Sequence, residues 1–173
     1  PGFQKPADRG HAFIPTMFTA EESETTFMAD TVMRWLSVRR DQNWFVHCVF
    51  LRPHPPIICP EPYNALYDPA KVPMVNRKAT PEEEAKQHPM LKVKLDAFDG
   101  RTGYDEHNPN NLVRMPELEL RQMRATYYGM ITQVDDQIGR LIAYLKQTGE
   151  YEDTLIVLTC DHGEMGGDHY CWG

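Results

Sequence analysis

Apolar residues recur at helical spacing in two stretches of the chain. The first runs from Ser23 to Arg40, with acidic residues at its start and arginines at its end. That charge order suits the helix dipole. The second runs from about Glu117 to Gln147, has an apolar residue every three or four positions, and is followed by Gly149. The pattern predicts a helix over each stretch, with the glycine ending the long one.

Two continuous apolar runs flank the long helical stretch. They span Trp44–Leu51 and Thr154–Cys160 and are rich in β-branched and aromatic residues. Such runs are typical of strands buried on both faces, as in parallel sheets. Because a helical crossover separates them, the sequence predicts an α/β fold with a mostly parallel sheet flanked by helices.

The region from residue 60 to residue 116 is long, irregular and rich in proline. A segment of this length within a compact domain is usually a functional loop, so we interpret it as a lid or insertion. Thr80 followed by Pro81 favours a short helix over Pro81–Gln87, with the threonine as N-cap. Residues 1–173 are otherwise expected to be part of one domain, continuing beyond both ends.

The candidate chemistry lies directly after the two predicted strands. His54 follows the first strand between prolines, and Asp161-His162 follows the second ahead of a glycine-containing turn. In parallel sheets, ligands bind outside the carboxyl ends of strands. A carboxylate and an imidazole there can bind one divalent ion, while a restrained histidine can donate a hydrogen bond to substrate. The alternatives are a turn aspartate with a half-exposed histidine, and a surface histidine in a loop.

Three further pairs of polar or aromatic residues are given structural interpretations. Asp168-His169 could extend the metal site, but a polar turn after two glycines is favoured. Asp135-Asp136 lies inside the long helix and is expected on its exposed face or in a hydrogen bond from the helix to a loop. Tyr127-Tyr128 is expected in or near the core of that helix.

Composition narrows the classes of partner. The formal charge of −7 and the absence of a basic cluster argue against nucleic acid. No run of eighteen apolar residues is present, so no membrane span is expected. Cys48 and Cys160 lie in the apolar runs and are predicted to be buried, reduced thiols, which favours a cytoplasmic location. The negative charge does not exclude an anionic ester, because a bound cation reverses the local field.

Three sequence blocks resemble sulfatases of the alkaline phosphatase superfamily. The block TLIVLTCDHGEMGGDHYCWG, at 154–173, resembles the second metal-ligand block of that family, and WFVHCVFLRPHPP, at 44–56, resembles its strand followed by P-H-x-P. The helix segment YYGMITQVDDQIGRL lies between them, as in the family. Within the family, RPHPP, AKQHPM, ELRQMRATYYG and histidine at position 162 are most similar to phosphonate monoester hydrolases.

The resemblance implies a metal-dependent hydrolysis of phosphonate monoesters or phosphodiesters. Asp161 and His162 would bind a single divalent ion, such as Mn, Zn or Ca, and His54 would contact the substrate as a catalytic residue. In the family the nucleophile is a formylglycine made from cysteine in a C-x-[PA]-[SA]-R motif. The substrate would be a small anionic ester, and the full-length protein would be a homo-oligomer.

The chain departs from the family pattern at the nucleophile. None of its cysteines fits that motif, and the family's N-terminal metal-binding aspartate is missing. The nucleophile is therefore expected outside this sequence, and the chain alone is expected to be inactive. The alternatives are an arylsulfatase and a non-catalytic, metal-binding fragment of the same fold.

Overall fold

Four α-helices organise the part of the chain that the structure describes. The computed structural model describes residues 11–40, 42–97 and 115–171. The helices are α1 (Glu24–Ser37), α2 (Pro81–Ala85), α3 (Pro89–Ala97) and α4 (Glu117–Thr148). Short 3-10 turns lie at His11–Phe13, Tyr63–Ala65, Pro69–Lys71 and Asp168–Tyr170.

The two long predicted helices are confirmed, with one shorter than expected. Helix α1 begins after Ser23, whose side chain accepts a hydrogen bond from the backbone N–H of Thr26. It ends at Ser37, before Arg40, and the Arg39 guanidinium turns back to donate to the carbonyl oxygen of Trp35 at 3.1 Å. Helix α4 ends at Gly149, which adopts a φ of +78°. No helix in the described ranges is long and apolar enough to cross a membrane.

Helix α4 forms the centre of the packing. Its Met130 is fully buried, and the core around it includes Tyr63 and Met123. The 3-10 turn that contains Tyr63 lies directly on α4 at Gly129, where a Cβ would stand 2.0 Å from the Tyr63 carbonyl oxygen. The glycine is therefore required by close backbone approach rather than by its own φ.

Buried polar side chains fix α4 against the segments that precede it. The Thr126 hydroxyl donates to the carbonyl oxygen of Ala12 at 2.8 Å. The Gln133 amide donates to the hydroxyl of Ser23 at 3.0 Å, which joins α4 to the start of α1. These bonds satisfy polar groups that would otherwise be costly to bury.

The two predicted strands are not paired in this structure. The described residues contain no strand, and many apolar side chains of both runs are exposed, including Leu155 at 89% and Phe45 at 87%. The predicted burial of these runs is therefore wrong for the chain taken alone. Burial on both faces needs a neighbouring strand on each side and covering layers, which the described residues do not supply. The parallel sheet stays a prediction.

The cysteines are free, but their burial differs from expectation. Cys160 is exposed and Cys48 is half-buried, whereas Cys59 and Cys171 are buried. The prediction of free thiols is confirmed for Cys48 and Cys160, and Cys59 and Cys171 are free as well. The predicted burial of Cys160 is wrong, because it lies at the end of the uncovered run.

The proline-rich region is ordered into short elements over its described part. Thr80 caps α2 as predicted, accepting a hydrogen bond from the backbone N–H of Glu83 at 3.2 Å. Helix α2 ends at Ala85 rather than Gln87, and α3 follows where no helix was expected. The remainder of the predicted lid, residues 98–114, lies outside the described residues, as do residues 1–10.

Candidate metal and substrate site

The His54 loop is held by a neighbouring arginine. The Arg52 guanidinium donates to the carbonyl oxygens of His54, at 3.1 Å, and Pro56, at 2.8 Å. The backbone N–H of His54 donates to the carbonyl oxygen of Leu51 at 3.0 Å. With prolines on either side, these bonds leave the histidine backbone little freedom.

One ring nitrogen of His54 is occupied within the loop. Nδ1 lies 2.8 Å from the carbonyl oxygen of Pro55. Because a carbonyl oxygen only accepts, Nδ1 carries the hydrogen and Nε2 is the nitrogen left for other partners. The side chain is exposed, so that Nε2 is accessible to a ligand.

Asp161 and His162 place an oxygen and a nitrogen side by side. Asp161 Oδ2 lies 3.7 Å from His162 Nε2, and both side chains are exposed. Asp161 Oδ1 accepts a hydrogen bond from the backbone N–H of His162 at 2.8 Å. His162 Nδ1 lies 3.0 Å from the carbonyl oxygen of Gly163, so that nitrogen carries the hydrogen and the Nε2 lone pair is available.

Electrostatics favour the ionised form of the aspartate. The backbone N–H of His162 lowers the pKa of Asp161, followed by the charge of the His162 ring. His54 contributes to the same lowering more weakly, so it lies within electrostatic range of Asp161. The Gly163 carbonyl and then the Asp161 carboxylate raise the pKa of His162.

The donor set fits part of a divalent metal site. Two ligands on bonds of about 2.0–2.2 Å lie roughly 3 to 3.5 Å apart, close to the separation seen here between Oδ2 of Asp161 and Nε2 of His162. Both atoms carry free lone pairs. Across the described part of the chain, no group of three or more His, Cys, Asp or Glu side chains could hold a metal. The pair therefore needs further ligands from elsewhere.

The side chains of Asp168 and His169 have hydrogen-bond partners of their own, which differ from those of Asp161 and His162. Asp168 Oδ1 accepts from the backbone N–H of Asn76 at 2.8 Å and from the Arg124 guanidinium at 3.1 Å. His169 Nδ1 lies 2.7 Å from Oε1 of Glu84. These contacts support the interpretation of this segment as a structural turn.

The region just beyond the ligand pair also borders a small cavity of about 110 Å³. Tyr127 and Tyr128 line it from α4, so they are half-buried rather than fully within the core. Glu164 and Gly166 line it from the other side.

Asp136 is exposed on α4 and accepts a hydrogen bond from the Tyr63 hydroxyl at 2.6 Å.

Three residues that contact the His54 loop or the turn at 166–171 were missed in the sequence. Arg52 precedes a proline and looks like an ordinary surface cation, and Arg124 resembles any charged helix residue. Glu84 is the third of three consecutive glutamates, yet it is fully buried while Glu82 and Glu83 are exposed. Helical spacing alone gives no signal for its burial, because its partner His169 is 85 residues away.

The chain is similar in sequence to known proteins. The sulfatase family model matches residues 3–171. The multifunctional alkaline phosphatase superfamily protein PehA of Trinickia caryophylli is 41% identical over 160 residues, which is 92% of this chain and 31% of that protein. An arylsulfatase of Clostridium perfringens is 30% identical over 76% of this chain and 24% of its own length.

Solved structures of two phosphonate monoester hydrolases share the fold. That of Silicibacter pomeroyi gives a TM-score of 0.86 at 40% identity, covering 95% of this chain and 32% of that one. That of Agrobacterium radiobacter gives a TM-score of 0.86 at 38% identity, covering 97% and 33%. The chain spans about a third of the length of these relatives. With a matching family model over nearly its whole length, the chain belongs to the sulfatase family.

Proposed function

We propose that the protein carrying this chain is a metal-dependent hydrolase of phosphonate monoesters and phosphodiesters. The observation that carries the proposal is the Asp161-His162 pair, whose Oδ2 and Nε2 lie 3.7 Å apart with lone pairs free. The similarity to phosphonate monoester hydrolases supports this substrate class over others in the family. The reaction cleaves a P–O ester bond with water, releasing an alcohol or phenol.

Asp161 and His162 would supply two of the ligands to one divalent ion. When bound, such an ion withdraws charge from the oxygens of the ester and from the attacking oxygen. The aspartate needs to be ionised to bind, which its lowered pKa favours, and His162 needs to be neutral at Nε2. The Gly163 carbonyl oxygen orients the imidazole by fixing its Nδ1–H.

His54 is proposed to hold a proton for the leaving group. With Nδ1–H bonded to Pro55, a proton on Nε2 is the one that can be donated to the ester oxygen as the P–O bond breaks. Arg52 fixes the loop and thereby the direction of that nitrogen.

The nucleophile is proposed to lie outside this sequence. Within the chain, the cysteines occur as CVF, CPE, CDH and CWG, and none matches the C-x-[PA]-[SA]-R pattern that precedes formylglycine in the family. The chain would then supply metal ligands and a proton donor to a site that is completed by residues from the rest of the protein.

Arylsulfatase activity is the second candidate. It is supported by the 30% identity to the Clostridium perfringens arylsulfatase. Sulfate and phosphonate monoesters both carry a single negative charge at neutral pH, so the ligand pair and His54 would serve either. The choice depends on the groups that surround the transferred phosphorus or sulfur.

A comparison of matched substrates tests the proposal. The full-length protein, loaded with Mn²⁺, is assayed with a phosphonate monoester, a phosphodiester and a sulfate ester that share p-nitrophenol as leaving group. We expect kcat/KM for both phosphorus esters to exceed that for the sulfate ester. A preference for the sulfate ester would establish the arylsulfatase instead. Metal binding without turnover of any ester would leave only the non-catalytic alternative.

A further inference from the structure

Glu84 is a buried carboxylate in a short, acidic helix. It is 0% exposed, although α2 is only five residues long. Burying a carboxylate is costly unless hydrogen bonds compensate for the lost water. Its neighbours Glu82 and Glu83 avoid this cost by remaining exposed. The buried carboxylate of Glu84 therefore needs specific hydrogen-bond donors.

Three donors satisfy the two oxygens of Glu84. The backbone N–H of Lys78 donates to Oε2, and the Gln87 side-chain amide donates to Oε1. Both belong to the same stretch of chain as the glutamate. The third donor, His169 Nδ1, lies 2.7 Å from Oε1 and comes from the segment that follows the metal-ligand pair. His169 is thus the partner that links the two segments through this carboxylate.

Further bonds join the same two segments. The backbone N–H of His169 donates to the carbonyl oxygen of Asn76 at 2.9 Å. The Tyr170 hydroxyl lies 2.9 and 2.8 Å from the carbonyl oxygens of Lys78 and Ala79. The Arg77 guanidinium lies over the Tyr170 ring, 4.3 Å from its centroid. Residues 168–170 are therefore held against residues 76–84 by several bonds.

The backbone of residues 166–171 needs such support. His169 and Tyr170 have φ values of +53° and +57°, in the left-handed region that disfavours residues with a Cβ. Gly166 and Gly167 also have positive φ. A conformation of this kind persists only where the surrounding contacts determine it. The buried bond from His169 to Glu84 is one of those contacts.

Only three residues separate His162 from Gly166. The His162 ring is oriented by the Gly163 carbonyl, at the start of this short connection. The far end of the connection is fixed by the Arg124 guanidinium, which donates to the Gly166 carbonyl at 3.0 Å, and by the turn that His169 anchors. A shift of the turn would move the Gly163 carbonyl and with it Nε2 of His162.

We propose that Glu84 is a positioning residue which, through His169, fixes the turn at 166–171 and so orients His162 for metal binding. The inference rests on the proposed function, since it concerns the same metal site. It also assigns a role to part of the proline-rich region. Residues 76–87 would be a fixed support for the site, not a mobile lid. Outer hydrogen-bond partners of this kind commonly change metal affinity about 10- to 100-fold.

Two variants remove the link while keeping the positive φ at position 169 accessible. Glu84→Gln keeps the size of the side chain but replaces one acceptor oxygen by a donor that faces other donors. His169→Gly removes the ring and tolerates the positive φ. His169→Asn is the rescue variant, because asparagine also tolerates that φ and its amide can replace Nδ1–H. Glu83→Gln, on the exposed side of α2, is the matched control.

The test is Mn²⁺ titration of the chelator-stripped, full-length protein, together with amide hydrogen exchange. We expect Glu84→Gln and His169→Gly to raise the Kd for Mn²⁺ about tenfold, with His169→Asn and Glu83→Gln within about twofold of the parent. The amide of His169, bonded to Asn76, should exchange faster in the first two variants. At saturating Mn²⁺, kcat should recover while KM changes little, which a general loss of folding would not produce.

The outcomes separate this inference from the proposed function. Unchanged Mn²⁺ affinity and unchanged amide exchange in folded Glu84→Gln and His169→Gly would overturn the positioning role, even if the parent hydrolyses phosphonate esters. Weaker Mn²⁺ binding in both variants, with no hydrolysis by the parent, would support the positioning role and refute the reaction. If Glu84→Gln does not fold, the difference in Mn²⁺ affinity between His169→Gly and His169→Asn tests the positioning role.

Discussion

The Arg52 guanidinium bridges the carbonyl oxygens of His54 and Pro56, at 3.1 and 2.8 Å, and so closes the loop that presents the candidate proton donor. A planar guanidinium can serve two acceptors in fixed directions, whereas an ammonium is a single point of charge on a flexible stem. We therefore expect the loop geometry to depend on the arginine and not on positive charge alone.

Replacing Arg52 by lysine should lower activity while preserving charge. We expect kcat/KM of the full-length protein to fall about tenfold. A displacement of a catalytic group by about 1 Å can lower the reaction rate by more than that. Steady-state kinetics on the phosphonate monoester measures the change. Arg40→Lys, at an exposed arginine, is the control. An equal kcat/KM for both variants would contradict the role of Arg52 in fixing the His54 loop.

Replacing His54 by glutamine should affect poor leaving groups most. Loss of a general acid typically costs about 10²- to 10⁴-fold, and the cost falls as the leaving group needs less protonation. We therefore expect a large loss of kcat/KM with an alkyl ester and a smaller loss with a p-nitrophenyl ester. His88→Gln, at an exposed histidine before α3, is the control. An equal loss for both esters would show that His54 does not donate the proton.

Replacing His162 by alanine should remove metal and hydrolysis together. The variant loses Nε2, which lies 3.7 Å from Oδ2 of Asp161. Elemental analysis of the purified, full-length protein, paired with steady-state assays, measures both effects. Unchanged metal content would refute the assignment of His162 as a ligand.

Replacing Gly129 by alanine should destabilise the protein, whereas the same change at Gly139 should not. A Cβ at Gly129 would stand 2.0 Å from the Tyr63 carbonyl oxygen, and backbone cannot move away cheaply. Overpacking of this kind costs about 1–3 kcal/mol. A Cβ at Gly139 meets nothing within 4 Å, so alanine there should stabilise α4 by roughly 0.5–1 kcal/mol. Thermal unfolding measures the difference in stability between the two variants. A similar Tm for both would contradict the close approach of Tyr63 to Gly129.

The contribution of Glu84 to stability should disappear at acidic pH. Burial opposes its ionisation, but the bonds from Lys78 and His169 outweigh burial and lower the pKa of Glu84. Because the folded pKa lies below the unfolded one, the stabilisation is present above about pH 4.3 and is lost as pH falls through the folded value. The difference in Tm between the parent and Glu84→Gln should therefore be large at pH 7 and shrink towards pH 3. A difference that is independent of pH would show that the charge of Glu84 is not involved.

Local sequence determined helices α1, α2 and α4 and the candidate site motifs, whereas α3 was not predicted. Ser23, Thr80 and Gly149 mark helix ends because capping depends on neighbouring residues, and those predictions are confirmed. The Asp161-His162 pair and the His54 loop could likewise be found in the sequence, because their character depends on adjacent residues and on family motifs.

Tertiary structure alone decided which distant residues each of these elements contacts. Gly129 looks like a weak point in a helix until Tyr63 is seen to lie on it. Glu84 looks like a solvated charge until His169, distant in sequence, is seen to donate to it. The apolar run that ends at Cys160 has a pattern that predicts burial. Burial depends, however, on which segments cover the run, and the described residues leave it exposed. Contacts between segments far apart in sequence depend on how the chain packs, and no local pattern encodes them.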